Sequence, residues 1–198
     1  MPPVRRAQIV RATIRCLAQD GYARLTMKKV AREAGVSQGI LHYYFRDKRD
    51  ILAAALETVA ADLNRRVAVA QARGSREPRA RLAAVVRACL DVAVQQREVW
   101  VVFIEFWGEM PHDKRLRAIN AAVYARARAA LGAVVQEGIR ARIFRQVRPA
   151  DAAAVILALV DGVSLQLTFE PDAMPAARAA RLVDAVVARY LAPGGGST

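Results

Sequence analysis

Between Gln38 and Lys48 the chain gathers the groups that a reader of duplex DNA needs. Gln38 can bond base edges, Gly39 lets a backbone approach closely, and Tyr43, Tyr44 and Lys48 donate hydrogen bonds or charge to phosphates. Ile40 lies at the border of that face, placed either to touch a thymine methyl or to pack. Such groups work only when one rigid face presents them, and residues 26 to 49 supply it. Thr26 caps a first helix whose apolar positions Met27, Val30, Ala31 and Ala34 recur at i, i+3, i+4 and i+7, and Gly35 provides the left-handed residue that ends it. Val36 fills the space between helices. Ser37 caps a second helix that turns Leu41 and Phe45 inward and leaves Gln38, Gly39, His42 and Tyr43 outward. Two short helices about a tight glycine turn predict a helix-turn-helix. An ordinary helical hairpin uses the same caps and stripe but has no need of the basic, aromatic outer face.

These features carry a resemblance. Gly21-Tyr22, Thr26, Gly35-Val36-Ser37, His42-Tyr43-Tyr44-Phe45 and Lys48 match the pattern of the TetR/AcrR family of transcriptional regulators, so residues 5 to 56 resemble its N-terminal DNA-binding domain. The resemblance implies that Thr26, Ser37, Tyr43, Tyr44 and Lys48 hold the phosphate backbone. It puts Gln38, Gly39, Ile40 and His42 nearest the bases, His42 standing where Tyr is more usual, and Lys28 joins the DNA-contacting set. It further implies a homodimer on a palindromic operator, released by a small-molecule effector.

A second concentration of chemistry lies between Val99 and Glu109. Trp100, Phe103 and Trp107 fall at i, i+3 and i+7, and Glu105 and Glu109 are close by in sequence. Rings with a carboxylate favour a cation, through charge and cation–π attraction; the competing reading of an aromatic stripe at helical spacing is core packing. This segment, with Leu159-Val160-Asp161-Gly162-Val163, is similar to the C-terminal domain of BetI-like members of the family. That similarity implies a cationic amine effector, choline or a polyamine among them. Trp100, Phe103, Glu105, Phe106, Trp107, Tyr124 and Phe169 are the candidate effector residues.

Composition bounds the rest. The chain has 198 residues, 55% hydrophobic and 6% aromatic, with few Gly and Pro outside short connections, which predicts an all-α protein with a sizeable core. Its net charge of +13 is densest at the start: residues 1 to 50 hold 11 Lys and Arg against 4 Asp and Glu. Arg outnumbers Lys 27 to 4, however, so part of the charge reflects Arg-rich coding. Cys16 and Cys89 sit in apolar helical stripes and read as reduced core residues, although Arg15 and Arg87 beside them would lower a thiol pKa if exposed. No apolar leader follows Met1, and the longest apolar run, 152 to 160, is short for a membrane span, so a cytoplasmic protein without a membrane partner is expected. Two histidines, no phosphate loop and no nucleophile motif argue against an enzyme, a metal centre or a cofactor. A helical-bundle enzyme and a non-specific architectural nucleic-acid binder are the alternatives, and the latter leaves the apolar C-terminal two-thirds without a purpose.

About nine helices are expected. Three form an N-terminal domain over residues 1 to 50; a fourth opens at Asp47 with Asp50 and closes at Gly74-Ser75. Others follow from Pro78, from about Glu98 and from about Asp113, and the last two open at Pro149 and Pro175. Residues 51 to 192 then form an effector-binding and dimerisation domain, and 193 to 198 a disordered tail. The last two helices carry more apolar surface than a monomer needs, which predicts that helices 8 and 9 pair between two copies of the chain.

Overall fold

The computed structural model describes residues 3–73, 77–95 and 97–193. Among these it is all-α: α1 (Pro3–Asp20), α2 (Met27–Glu33), α3 (Gln38–Tyr44), α4 (Lys48–Arg73), α5 (Pro78–Gln95), α6 (Arg97–Glu109), α7 (Lys114–Arg140), α8 (Pro149–Phe169) and α9 (Ala176–Tyr190). Gly74-Ser75 and residues 194–198, expected as a helix stop and a tail, lie outside the described residues.

Local chemistry sets the boundaries. At the end of α2, Gly35 (φ 63°) donates to the Arg32 carbonyl and Val36 to that of Ala31, closing a Schellman motif that needs a left-handed residue. Asp47 caps α4, its Oδ1 accepting from the Asp50 amide at 2.8 Å. The same Schellman pair ends α7, where Arg142 donates to Ile139 and Ile143 to Gly138, but here the left-handed position (φ 57°) is Arg142. An L-side chain there costs about 1–2 kcal/mol. Gly138 is required for a different reason: a Cβ would lie 2.0 Å from Cδ2 of Phe144.

The chain forms two compact units, discontinuous in sequence: Met1–Asp62 with Arg97–Ala122, and Leu63–Gln96 with Val123–Thr198. In the first, α1 packs against α2 and α6, and α2 against α3. The stripe read around Cys16 is its centre, with Ile9, Ala12, Thr13, Cys16 and Leu17 all buried. Val30, Leu41 and Phe45 join it, and Ile51 to Leu56 are buried all round rather than along one stripe. Each fully buried large aliphatic or aromatic side chain contributes about 1.5–3 kcal/mol.

In the second unit α5 packs against α8 and α9, and α8 against α9, around Leu82, Val86, Val135, Ile156 and Leu191. Helix α8 corrects a reading based on the 152–160 run. It is 21 residues long with a mean hydropathy of 1.9 over an 18-residue stretch, long and apolar enough to cross a membrane, because the helix continues past Asp161, where the uninterrupted run stops. Its buried positions, Ala152, Ala153, Ile156, Leu157 and Val160 among them, form one face.

Candidate nucleic-acid interface

Helix α3 is seven residues long and its side chains divide as its period requires. Leu41 is fully buried, Phe45 just beyond the helix is 1% exposed, and Arg6 stands 5.1 Å over the Phe45 ring. Outward lie Gln38, Gly39, Ile40 and His42, all exposed, with Tyr43 80% exposed and its ring edge-on to half-buried Tyr44. The side of α3 away from its core is thus continuous with the surface.

The two capping hydroxyls hold this geometry. Ser37 Oγ accepts from the Ile40 amide and Thr26 Oγ1 from the Lys29 amide, both at 3.2 Å, so each fixes a helix start and keeps its own proton to donate. Gln8 of α1 ties the turn down by donating to the Ala34 carbonyl at 2.8 Å. Of the two adjacent lysines, Lys29 is paired with Asp20 at 2.7 Å, whereas Lys28 is exposed.

Lys48 has a structural partner as well as a charge. Its Nζ donates to the Tyr22 carbonyl at 2.9 Å and stands 4.3 Å over the Tyr22 ring, binding the start of α4 to the α1–α2 turn. A cation passed over in the sequence follows α3: Arg46, between α3 and α4, has 86% of its side chain exposed and a long 3.9 Å pairing with Asp50. Its position directly after the inward Phe45 was the available signal.

Helix α6 departs from the sequence reading. Glu105 Oε2 accepts from the Tyr22 amide at 2.9 Å, and its carboxylate lies 3.4 Å from where a Cβ on left-handed Gly21 (φ 75°) would stand. The carboxylate assigned to an effector is therefore engaged by the end of α1. Trp100, Phe103 and Trp107 do come together, but onto one another, with centroids 5.9 to 6.0 Å apart. Those are contact separations for a packed aromatic trio. Phe106 is 1% exposed, and the buried Trp100 Nε1 has no hydrogen-bond partner among the described residues. From the start of α7, Arg115 reaches Asp50 at 2.9 Å and Glu57 at 3.5 Å, and its guanidinium holds the Asp50 carboxyl below its ordinary range.

The remaining two effector candidates belong to the second unit. Tyr124 donates to Asp161 Oδ2 at 2.6 Å, whereas Phe169 is 69% exposed at the end of α8. A groove of about 280 Å³ between α5 and α9, lined by Leu82, Val86, Phe144, Val187 and Leu191, includes none of the seven candidates. Neither cysteine has the lowered thiol that neighbouring arginines suggested. Burial, with Glu33 and Asp20, raises Cys16, and burial pushes Cys89 up to about 12.

With this geometry in place, comparison with known proteins is decisive. Residues 9–55 match the profile of bacterial regulatory proteins of the tetR family, and residues 78–192 that of the C-terminal domain of BetI-type transcriptional repressors. The chain belongs to the TetR family of transcriptional regulators. Its C-terminal domain is of the BetI type, and the family's members are regulators, not enzymes. The HTH-type transcriptional regulator BetI of Burkholderia mallei is 31% identical over 193 residues, covering 98% of this chain and 96% of its own. Among solved structures, a transcriptional regulator of Saccharomonospora viridis in complex with choline superposes with a TM-score of 0.88 at 22% identity, covering 96% of this chain and 99% of that one. The FadR regulator of Bacillus subtilis in complex with stearoyl-CoA superposes at 0.81 and 18% identity, covering 93% and 98%. Regulators of this family bind DNA operators, dimerise and bind small-molecule effectors.

Proposed function

We propose that this regulator is a cytoplasmic homodimeric repressor that leaves a palindromic operator when its C-terminal domain binds a small cationic amine. The observation that carries the DNA half is the split of α3: Leu41 and Phe45 are buried while Gln38, Gly39, Ile40, His42 and Tyr43 stand in solvent. On this reading Gln38, Gly39, Ile40 and His42 meet base edges, Lys28, Tyr43, Tyr44 and Arg46 meet phosphates, and Thr26, Ser37 and Lys48 hold the reader in shape while still donating outward. Two such readers must meet successive major grooves, roughly 34–36 Å apart.

The dimer is assigned to α8 and α9. Val155 and Phe169 of α8 and Leu182 and Val186 of α9 are 42%, 69%, 50% and 42% exposed, an apolar face outside the unit's own core. A second copy of the same two helices covers it in the self-complementary way of a two-fold dimer. The amine reading draws on the choline-bound neighbour from Saccharomonospora viridis and on the half-buried Asp161, which accepts from Tyr124 at 2.6 Å. The same fold holds stearoyl-CoA in another regulator, so the lining, not the fold, selects the ligand.

Selection of bound sites from random DNA tests the first half. The expected outcome is one inverted repeat whose half-sites lie about one helical turn apart; recovery of unrelated sequences of equal affinity would leave only a non-specific binder.

A further inference from the structure

Resting on the phosphate reading of Arg46 above, we propose that Arg115 is a positioning residue for DNA binding: it occupies the Asp50 carboxylate and so leaves the Arg46 guanidinium for a phosphate. Three groups claim that carboxylate. Asp50 Oδ1 accepts from Arg115 Nη1 at 2.9 Å, and Oδ2 accepts from the Arg46 backbone amide at 3.2 Å. The third claimant, Arg46 Nε, stops 3.9 Å from Oδ2, beyond hydrogen-bond distance. Arg46 is thus tied to Asp50 through its backbone while its side chain stays 86% exposed, although the Asp50 side chain itself is only 20% exposed.

Left to themselves, Arg46 and Asp50 would close. They are four residues apart, and the amide bond already holds the Arg46 chain beside the acid. Arg115 is what satisfies the acid first. A charge-assisted hydrogen bond from a guanidinium is the stronger kind, and it lessens the pull of the same carboxylate on a second cation. Its hydrogen bond contributes most to lowering the Asp50 carboxyl, ahead of the Arg46 amide and the Arg46 charge.

The placement of Arg115 is itself fixed. Its amide donates to Asp113 Oδ1 at 2.8 Å at the start of α7, and its Nη2 lies 3.5 Å from Glu57 Oε1. Asp50 and Glu57 are seven residues apart on α4, hence on one side of it, and the guanidinium spans both. Removing Arg115 would leave Asp50 with an uncompensated charge beside the reader, where it would draw in Arg46 and repel the phosphate that Arg46 is to meet.

Fluorescence-anisotropy binding of the full-length protein to a duplex of unselected sequence, over a series of salt concentrations, reads phosphate contacts without an identified operator. Arg46→Ala should weaken binding about three- to tenfold and lower the slope of log affinity against log salt by about one. Arg115→Ala should do the same, should add nothing in a chain that already carries Arg46→Ala, and should recover the wild-type slope when Asp50→Asn is added. A wild-type slope in Arg46→Ala overturns the phosphate reading and this proposal with it. A lowered slope in Arg46→Ala with a wild-type slope in Arg115→Ala overturns the proposal alone, as do additive losses in the two or no recovery with Asp50→Asn. Where thermal melting shows that Arg115→Ala does not fold, Arg115→Gln, which keeps a hydrogen-bond donor without the charge, decides by the same readings.

Discussion

The two compact units distribute polarity in opposite ways. Around α3 the apolar side chains are inside and the polar ones outside, and the caps are satisfied: Thr26, Ser37 and Asp47 each accept a backbone amide. In the second unit, apolar side chains of α8 and α9 face out, while Asp161 is half-buried and Ser164 is buried with no side-chain hydrogen-bond partner among the described residues. A reader of a hydrated polyanion needs hydrogen-bond donors and charge at its surface. On the proposed reading, the outward apolar face meets a second copy of itself and the effector is a cation.

That contrast can be broken at its strongest point first. Leu182→Glu with Val186→Glu puts like charges on the outward face of α9; sedimentation should show monomers, and operator affinity should fall on the order of 10²-fold or more as paired binding is lost. A dimer that survives would mean the outward apolar face serves something else.

On the reading face, Gln38→Ala should cost about 1–3 kcal/mol on the operator and relax preference at one base position. Lys28→Ala should weaken all duplexes alike and lower the slope of log affinity against log salt by about one. Identical behaviour of the two would erase the division between base readers and phosphate holders.

The smallest effects concern the end of α7. Gly138→Ala forces a methyl onto Phe144 and should destabilise by about 1–3 kcal/mol, read by thermal melting. Arg142→Gly relieves a left-handed side chain and should stabilise by about 1 kcal/mol, raising Tm by about 2–4 °C. The opposite signs within four residues separate a packing requirement from a backbone one.

Much of the fold is legible in the sequence because its signals are local. Caps, the Gly35 turn, Pro149 and Pro175 mark helix ends within a few residues, and the period of Leu41 and Phe45 fixes which face is outward. What is hidden is set by contacts across the chain. The Glu105 carboxylate meets the Tyr22 amide 83 residues away, and Tyr124 meets Asp161 across 37. Spacing along α6 brought three aromatic residues onto one side but could not tell rings that surround a ligand from rings packed on one another. At Arg142 the sequence offers no glycine to announce the left-handed turn.

The most direct test of the whole account is fluorescence-anisotropy binding of the DNA upstream of the protein's own gene against a scrambled duplex, at two salt concentrations, with and without choline. The account predicts a preference of about 10³ or more for the upstream DNA that collapses when choline is present. Equal, steeply salt-dependent binding to both duplexes, unchanged by choline, would contradict it.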